Sequence, residues 1–244
     1  MIPDNKSTWE RMGELDPLWA ILSDPAKKFG KWDVDEFLRT GVDEIAQLME
    51  RCASLALPGQ RERALDLGCG VGRLTQPLAD HFQRVIGLDI SEAMVRRARE
   101  LNRHGDRCEY IIHGSSRLPF ADASFDLIYT RIVLQHIPSA LIPAYVREFV
   151  RTLRPGGLIV MQIPSHIPWV NRIQPKTLAY DTLRRIGIPD RVLFEKLRLH
   201  PIRMNFVPEK AVSSVVTAAG GRIVQVEPDA SASGAQSRLY IVTK

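Results

Sequence analysis

The sequence predicts an α/β fold in which a doubly wound, mostly parallel sheet follows an N-terminal helical cap. Two observations carry this prediction. Apolar runs of strand length alternate with segments of helical spacing across residues 62–163, a pattern typical of parallel sheets covered by helices. A glycine-rich stretch at Ala64–Arg73 joins the first strand of this unit to its first helix, where α/β proteins commonly bind ligands.

Five strands are expected in the alternating unit and two more near the end of the chain. The strands lie at Arg63–Leu67, Arg84–Leu88, Cys108–Ile112, Phe125–Thr130, Gly157–Gln162, Arg222–Glu227 and Ser237–Thr243, the last two joined by Pro228–Gly234. Helices are expected at Leu74–His81, Ser91–Asn102, Leu141–Leu153 and Val207–Ala219. We divide the chain into a cap (1–57), a ligand-binding core (58–163), an insertion (164–206) and a C-terminal helix with two strands that complete the core (207–244).

Residues 1–57, which precede the first strand, are expected to be helical. Asp16 followed by Pro17 is a helix start signal, with the acid as N-cap and proline at the first helical position. Apolar residues then recur with helical spacing through Asp33–Thr40 and Val42–Leu55. The sequence therefore predicts a helical cap on the core.

The segment 164–206 interrupts the alternation and is strongly basic. It carries three acids and eight basic residues, which are Arg172, Lys176, Arg184, Arg185, Arg191, Lys196, Arg198 and Arg203. Its excess of five equals the formal charge of +5 of the whole chain. Such a surplus would suit an anionic substrate or an anionic membrane surface, and a solvated helical face is the alternative.

Composition and length favour one globular domain with a cap. The apolar fraction of 45% is ordinary, and no run of 18 apolar residues predicts a membrane span. The polar start Met1–Glu10 shows no signal peptide. The three cysteines have no C-x-x-C spacing, so neither a disulfide framework nor a metal site is expected. We therefore predict a cytoplasmic protein with free thiols.

The glycine loop excludes two common nucleotide sites. Counted from Gly68, the sixth position of G-x-G-x-x-G is Arg73, and no G-x-x-x-x-G-K-[ST] pattern is present. Asp66, just before the loop, would repel a pyrophosphate but would suit a cationic ligand. Asp89 ends the second strand, where an acid commonly binds the ribose hydroxyls of an adenosine ligand. A glycine-rich turn without a ligand is the alternative.

The pattern D-x-G-x-G-x-G at residues 66–72, together with Asp89, resembles the class I S-adenosylmethionine-dependent methyltransferases. The resemblance covers roughly residues 62–163 and, more weakly, 207–244. It implies a Rossmann-like, seven-stranded sheet and S-adenosyl-L-methionine as cofactor. In that family the loop contacts the methionine part of the cofactor, and the residues so implied are Asp66, Gly68, Gly70 and Arg73.

The resemblance also implies which residues bind the adenosine part. Asp89 would hold the ribose, and Ile90 and Met94 would flank the adenine. After the third strand the family often has an aspartate that accepts a hydrogen bond from the adenine amine, and this chain has Ser115 there. A hydroxyl can accept that bond, but without charge it gains less. Ser116, the next residue, is also a cofactor candidate.

Candidates for catalysis and substrate binding are less sharply defined. His136 follows the fourth strand and could accept a proton from the methyl acceptor, although a histidine there often packs the turn. Arg131 is a cofactor candidate that could instead anchor an acidic substrate or form a salt bridge. Three aromatic residues are predicted to bind substrate, with structural packing as the alternative for the two tryptophans: Trp19, Trp32 and Tyr180.

The sequence thus predicts an S-adenosylmethionine-dependent methyltransferase that acts on a small-molecule metabolite or natural product with an acidic group. The partner is expected to be that small molecule. Aromatic residues are sparse in the basic segment and no RNA-binding module is visible, which argues against nucleic acid. Two alternatives stay open at this point: a methyltransferase acting on RNA, lipid or protein, and a catalytically silent cofactor-binding subunit.

Overall fold

A computed structural model describes residues 5–169, 173–230 and 235–244 of the chain. Its strands form one sheet in the order β3-β2-β1-β4-β5-β7-β6. They are β1 (Arg63–Leu67), β2 (Arg84–Asp89), β3 (Cys108–Ile112), β4 (Phe125–Thr130), β5 (Leu153–His166), β6 (Arg222–Asp229) and β7 (Gln236–Thr243). β1 to β5 pair in parallel, whereas β7 lies antiparallel between β5 and β6. The predicted α/β, doubly wound, seven-stranded and mostly parallel sheet is confirmed.

Helices precede the sheet and cover both of its faces. They are α1 (Asn5–Leu15), α2 (Pro17–Ile21), α3 (Val34–Leu55), α4 (Thr75–Leu78), α5 (Glu92–Leu101), α6 (Ile142–Thr152), α7 (Pro175–Arg185), α8 (Asp190–Glu195) and α9 (Glu209–Ala218). Short 3₁₀ turns occur at Pro25–Lys27, Gly105–Arg107 and Leu134–His136. The strand order reverses between β1 and β4, and a crevice forms at the carboxyl ends of strands at such a point.

The central strands are apolar on both sides because both faces of the sheet are covered there. Along β1, Leu65 and Leu67 belong to one buried cluster, and Ala64 belongs to the cluster on the opposite face. β4 is buried along its whole length. Period-two alternation therefore decides which face each side chain of β1 reaches.

The cap and the insertion pack against each other. A third buried cluster joins Met12, Trp19 and Phe37 of the cap to Phe194 of α8. The Trp19 and Phe194 rings meet edge-on at 5.4 Å between centroids. The two segments that the sequence separates by the whole core are therefore neighbours in the fold.

Several elements differ from the prediction. Asp33–Thr40 and Val42–Leu55 were expected as separate apolar segments, and the structure joins them in the single helix α3. β5 begins at Leu153, ahead of the predicted start at Gly157, because Leu153 pairs with Phe125 before the strand bulges. α4 is only four residues long, and no specific helices had been predicted at α1, α7 or α8. Arg172 and part of the loop Pro228–Gly234 lie outside the described residues.

Three further findings concern membrane spans, metal clusters and the cysteines. Within the described ranges, no helix is long and apolar enough to cross a membrane. No group of three or more His, Cys, Asp or Glu side chains in the same ranges could hold a metal ion. Cys52, Cys69 and Cys108 are free and buried, and burial raises the pKa of Cys52 and of Cys108 to about 11.

Candidate functional site

A cavity of about 440 Å³ lies at the carboxyl ends of β1, β2 and β4. This volume lies within the usual range for small-molecule sites. Its floor comes from the sheet, and α1 and α2 contribute Asn5, Trp9, Ala20 and Ile21 to its wall. The residues predicted from sequence that line it are Gly68, Gly70, Arg73, Asp89, Ile90, Met94, Arg131 and His136.

The glycine loop after β1 lies against two neighbours that leave no room for side chains. Gly68 and Gly70 have φ of 75° and 52°, which side-chain-bearing residues rarely adopt. A Cβ on Gly68 would come within 2.3 Å of Val133, and one on Gly70 within 2.4 Å of Ile21. Gly68 and Gly70 both line the cavity, so backbone atoms form this part of its wall.

Asp89 fixes this loop from the end of β2. One carboxylate oxygen accepts from the Gly70 N–H at 2.9 Å, and the other accepts from the Ser91 N–H at 2.9 Å. Burial raises the pKa of Asp89 above its usual value. Each carboxylate oxygen has a second lone pair, so Asp89 can accept further hydrogen bonds from a ligand in the cavity.

Asp66 lies under the loop and is not among the residues that line the cavity. Its side chain is buried and accepts a hydrogen bond from the Thr75 hydroxyl at 2.7 Å. Burial raises its pKa to about 7, although Thr75 and Arg73 act against this shift. The alternation of β1 explains the position, since Leu67 lines the cavity and Asp66 points to the opposite face. A role in binding a cationic ligand stays a prediction.

Glu44 of α3 connects the two arginines of the cavity. Its carboxylate pairs with Arg73 at 2.9 Å and with Arg131 at 3.5 Å, and it accepts from the Tyr129 hydroxyl at 2.7 Å. Arg131 also pairs with Asp229 at 2.9 Å. Arg131 therefore does form a salt bridge, one of the roles considered from sequence.

Sequence reasoning missed Glu44, although one signal was present. Gly41, Ile45 and Leu48 form the buried stripe of α3. Glu44 comes three residues after Gly41 and four before Leu48, so it borders this stripe, where a carboxylate needs partners. A charged residue next to a buried helical stripe was the available indication.

His136 lines the cavity and is fully engaged in hydrogen bonds. Its Nδ1 lies 2.6 Å from the carbonyl oxygen of Arg203, and its Nε2 lies 3.0 Å from the amide nitrogen of Gln135. Because a carbonyl can only accept, Nδ1 carries the proton and Nε2 accepts from Gln135. Burial lowers the pKa of His136 to about 4, so the ring is neutral at pH 7. The Trp9 ring lies edge-on to it, with 5.0 Å between centroids.

The other predicted residues are not among those that line this cavity. Ser115 is exposed and Ser116 is half-buried, and their neighbours His113 and Gly114 line the cavity instead. The predicted role of the two serines remains a prediction.

The aromatic substrate candidates have structural partners. The Trp32 indole donates to the carbonyl of Leu22, and the Tyr180 hydroxyl donates to Asp190 at 2.6 Å. Trp19 lies at a second, smaller cavity. These hydrogen bonds give Trp32 and Tyr180 structural roles within the protein. Their predicted substrate roles are untested.

Comparison with known proteins places the core of the chain in one family. The family model described as a methyltransferase domain matches residues 64–157. A 24-methylenesterol C-methyltransferase 2 from Oryza sativa subsp. japonica is 41% identical over 115 residues, which is 46% of this chain and 31% of that protein. A demethylmenaquinone methyltransferase from Beutenbergia cavernae is 33% identical over 149 residues, 61% of this chain and 58% of that protein.

A solved structure shares the fold over nearly the whole chain. The magnesium protoporphyrin IX methyltransferase from Synechocystis PCC 6803 with bound SAH superposes with a TM-score of 0.62 and covers 99% of this chain and 100% of its own. At 20% identity this likeness concerns the fold. The chain spans 31% of the length of the first of these two curated relatives and 58% of the second.

These matches coincide with the residues that build the cavity. The segment 64–157 includes the glycine loop, Asp89 and the end of β4. The segment 64–157 is therefore a methyltransferase domain, and the fold around it is the one found in the SAH-bound methyltransferase structure.

Proposed function

We propose that this protein transfers a methyl group from S-adenosyl-L-methionine to a small molecule. The observation that carries the proposal is the hydrogen bond between Asp89 and the backbone of the glycine loop, in one cavity of about 440 Å³. A carboxylate and accessible backbone N–H and C=O groups suit a ligand that has ribose hydroxyls and a positively charged amino acid part. The family match at residues 64–157 supports the same ligand.

The donors and acceptors of the cavity fit this cofactor. Arg73 and Arg131 line the cavity, and each has a buried Nε–H without a partner among the described residues. Such donors suit the carboxylate of the methionine part. Asp89 would hold the ribose, and Ile90 and Met94 supply apolar surface for the adenine.

For methyl transfer, the protein mainly has to position the two reactants and exclude water from the site. S-adenosyl-L-methionine, when bound, supplies a methyl group activated by a sulfonium. The chain has to align the acceptor atom with that methyl group and exclude water. Trp9 and Ile21 of the cap cover the cavity, and an aromatic ring beside it can attract a sulfonium by cation–π interaction.

A small acceptor is favoured by the shape of the site. The cavity is walled by the cap and by the turn after β4, and its volume of about 440 Å³ is typical of a small-molecule site. The sterol and menaquinone methyltransferases among the relatives are named for small acceptors. The basic surplus of residues 164–206 supports an acidic group on the acceptor.

Methyl transfer from labelled cofactor into a fractionated cell extract tests this proposal. The extract is divided into small-molecule, lipid, RNA and protein fractions, and the Asp89→Asn variant serves as the control. We expect label in the small-molecule fraction, and in its acidic part after ion exchange. Label confined to RNA or protein would replace the small-molecule assignment, and no transfer to any fraction would favour a silent binding subunit.

A further inference from the structure

A second cavity of about 280 Å³ lies where the cap meets the insertion. The cap contributes Trp19, Lys28, Phe29 and Lys31, and the residues around α7 and α8 contribute Lys176, Arg198 and His200. It shares only helix α2 with the main cavity, since Trp19 borders the second and Ala20 and Ile21 border the first. No described residue lines both cavities.

Its wall contains four cationic side chains and no acid. They are Lys28, Lys31, Lys176 and Arg198. Elsewhere in the described structure, 14 lysine and arginine side chains form salt bridges with acids, and one histidine does so as well. None of the four side chains in this wall has a salt bridge among the described residues. Like charges around a concave, partly apolar surface repel each other unless an anion lies between them.

The surroundings of Lys28 show the effect of these neighbouring positive charges. Its ammonium lies 4.6 Å from the centroid of Trp19 and 4.3 Å from that of Phe194. Burial, and next the charges of Lys176 and Arg198, lower the pKa of Lys28. Asp16 acts in the opposite direction, but one of its carboxylate oxygens already accepts from the Phe29 and Gly30 backbone N–H groups.

His200 adds a neutral polar group to the same wall. Burial and the nearby charges of Lys28 and Lys176 lower its pKa to about 4, so it is uncharged at pH 7. Its Nδ1 is buried and has no hydrogen-bond partner among the described residues. A buried polar atom without a partner costs free energy, which a ligand can recover.

The backbone of the cavity is also unusual. Phe29 and Arg198 have φ of 71° and 55°, a left-handed conformation uncommon for residues other than glycine. Such conformations are often retained where they position side chains for a ligand. Here they occur on both sides of the cavity, one in the cap and one in the insertion.

We propose that this second cavity is a binding site for an organic anion in which a phosphate or carboxylate is attached to a flat apolar body. The anion would lie between Lys28, Lys176 and Arg198. The volume exceeds what a bare oxyanion needs, and the rings of Trp19 and Phe29 provide apolar surface for the rest of the molecule. The site joins the cap to the insertion, so its ligand would hold these two segments together.

Calorimetric titration of the full chain with phenyl phosphate, benzoate, inorganic phosphate and phenol tests this inference. No S-adenosylmethionine is present, so the result is independent of the proposed methyl transfer. We expect phenyl phosphate or benzoate to bind more tightly than inorganic phosphate and phenol not to saturate the protein. Affinity should fall as sodium chloride is raised. The tighter of the two aromatic anions identifies the oxyanion that the site prefers.

Variants locate the binding. The double variant Lys176→Gln/Arg198→Gln should weaken the preferred anion by about tenfold or more, since charge-assisted hydrogen bonds are lost. Lys31→Gln should weaken it less, and Lys210→Gln, an exposed lysine of α9, should leave it unchanged. Thermal unfolding confirms that each variant is folded. Absence of saturable binding by both aromatic anions, or equal affinity in the double variant and Lys210→Gln, would overturn the inference.

Discussion

Asp89 serves the fold and the ligand site with the same carboxylate. It accepts from the backbone of Gly70 and of Ser91, and it still has acceptor capacity toward the cavity. Its position was predictable because it ends an apolar strand. The partner Gly70 was predictable only as a loop residue, since the hydrogen bond depends on how the loop folds back over β2.

Asp66 should make the free energy of unfolding depend on pH, and an Asp66 variant can separate its contribution from that of other groups. Its pKa is raised from 3.8 in the unfolded chain to about 7 in the fold, so the native state holds a proton that the unfolded state loses. Stability is therefore lost as pH rises between these two values. Relative to Asp66→Asn, the wild type should lose about 2 kcal/mol of unfolding free energy between pH 5 and pH 7. Urea unfolding at both pH values measures this difference, and a pH-independent difference would contradict the burial argument.

Two variants of His136 can show whether the residue has a positioning role or a proton-transfer role. We expect His136→Asn to keep most of the turnover, because an amide N–H can replace Nδ1–H toward the carbonyl of Arg203. His136→Ala should lower both stability and turnover, since that carbonyl loses its donor. If the ring accepts a proton during methyl transfer, both variants will lose turnover by about 100-fold or more. Steady-state rates with an identified acceptor distinguish the two outcomes.

At the scale of elements, helix α3 is positioned by a glycine. A Cβ on Gly41 would lie 2.0 Å from the carbonyl oxygen of Arg73, which is a backbone atom that cannot turn away. In an ordinary helix, glycine to alanine stabilises by about 1 kcal/mol. Here Gly41→Ala should destabilise by about 2–3 kcal/mol because α3 must move off the loop. Gly59→Ala, where no atom lies within 4 Å of the added Cβ, should be nearly neutral, and stabilisation by Gly41→Ala would show that α3 is not packed on the loop.

The elements that could be predicted are those whose own residues show a clear strand or helix pattern. β1 to β4 are short apolar runs next to turn residues, and the structure starts all four at the predicted residue. The early start of β5 was not predictable, because Leu153 joins the sheet by pairing across a bulge with Phe125. The buried role of Glu44 depends in the same way on residues far away in the sequence, Arg73, Tyr129 and Arg131.

At the scale of the whole molecule, the cap is fastened to the core at the helix that follows Asp89. The carboxylate of Glu10 in α1 accepts from the backbone N–H groups of Glu92 and Ala93 at 2.8 and 3.0 Å, at the first turn of α5. These contacts, like the second cavity, combine residues separated by more than 80 positions, which explains why sequence patterns alone did not predict them.

Glu10 therefore links α1, which lines the main cavity through Asn5 and Trp9, to the helix that follows Asp89. Glu10→Ala should speed amide hydrogen exchange in α1 and weaken S-adenosylhomocysteine binding by about tenfold, since a helix-end contact of this kind contributes about 1 kcal/mol or more. Glu14→Ala, on the exposed side of the same helix, is the matched control. Unchanged exchange and affinity in Glu10→Ala would mean that α1 is held by its apolar contacts alone.

Calorimetric titration with S-adenosylhomocysteine tests the central claim most directly. We predict saturable binding at one site per chain, weakened by about 10- to 100-fold in Asp89→Asn, because the charged acceptor for the ribose is lost. Asp106→Asn, which changes an exposed acid away from the cavity, should bind like the wild type. Absence of binding to the wild type, or equal affinity in Asp89→Asn and Asp106→Asn, would contradict the account.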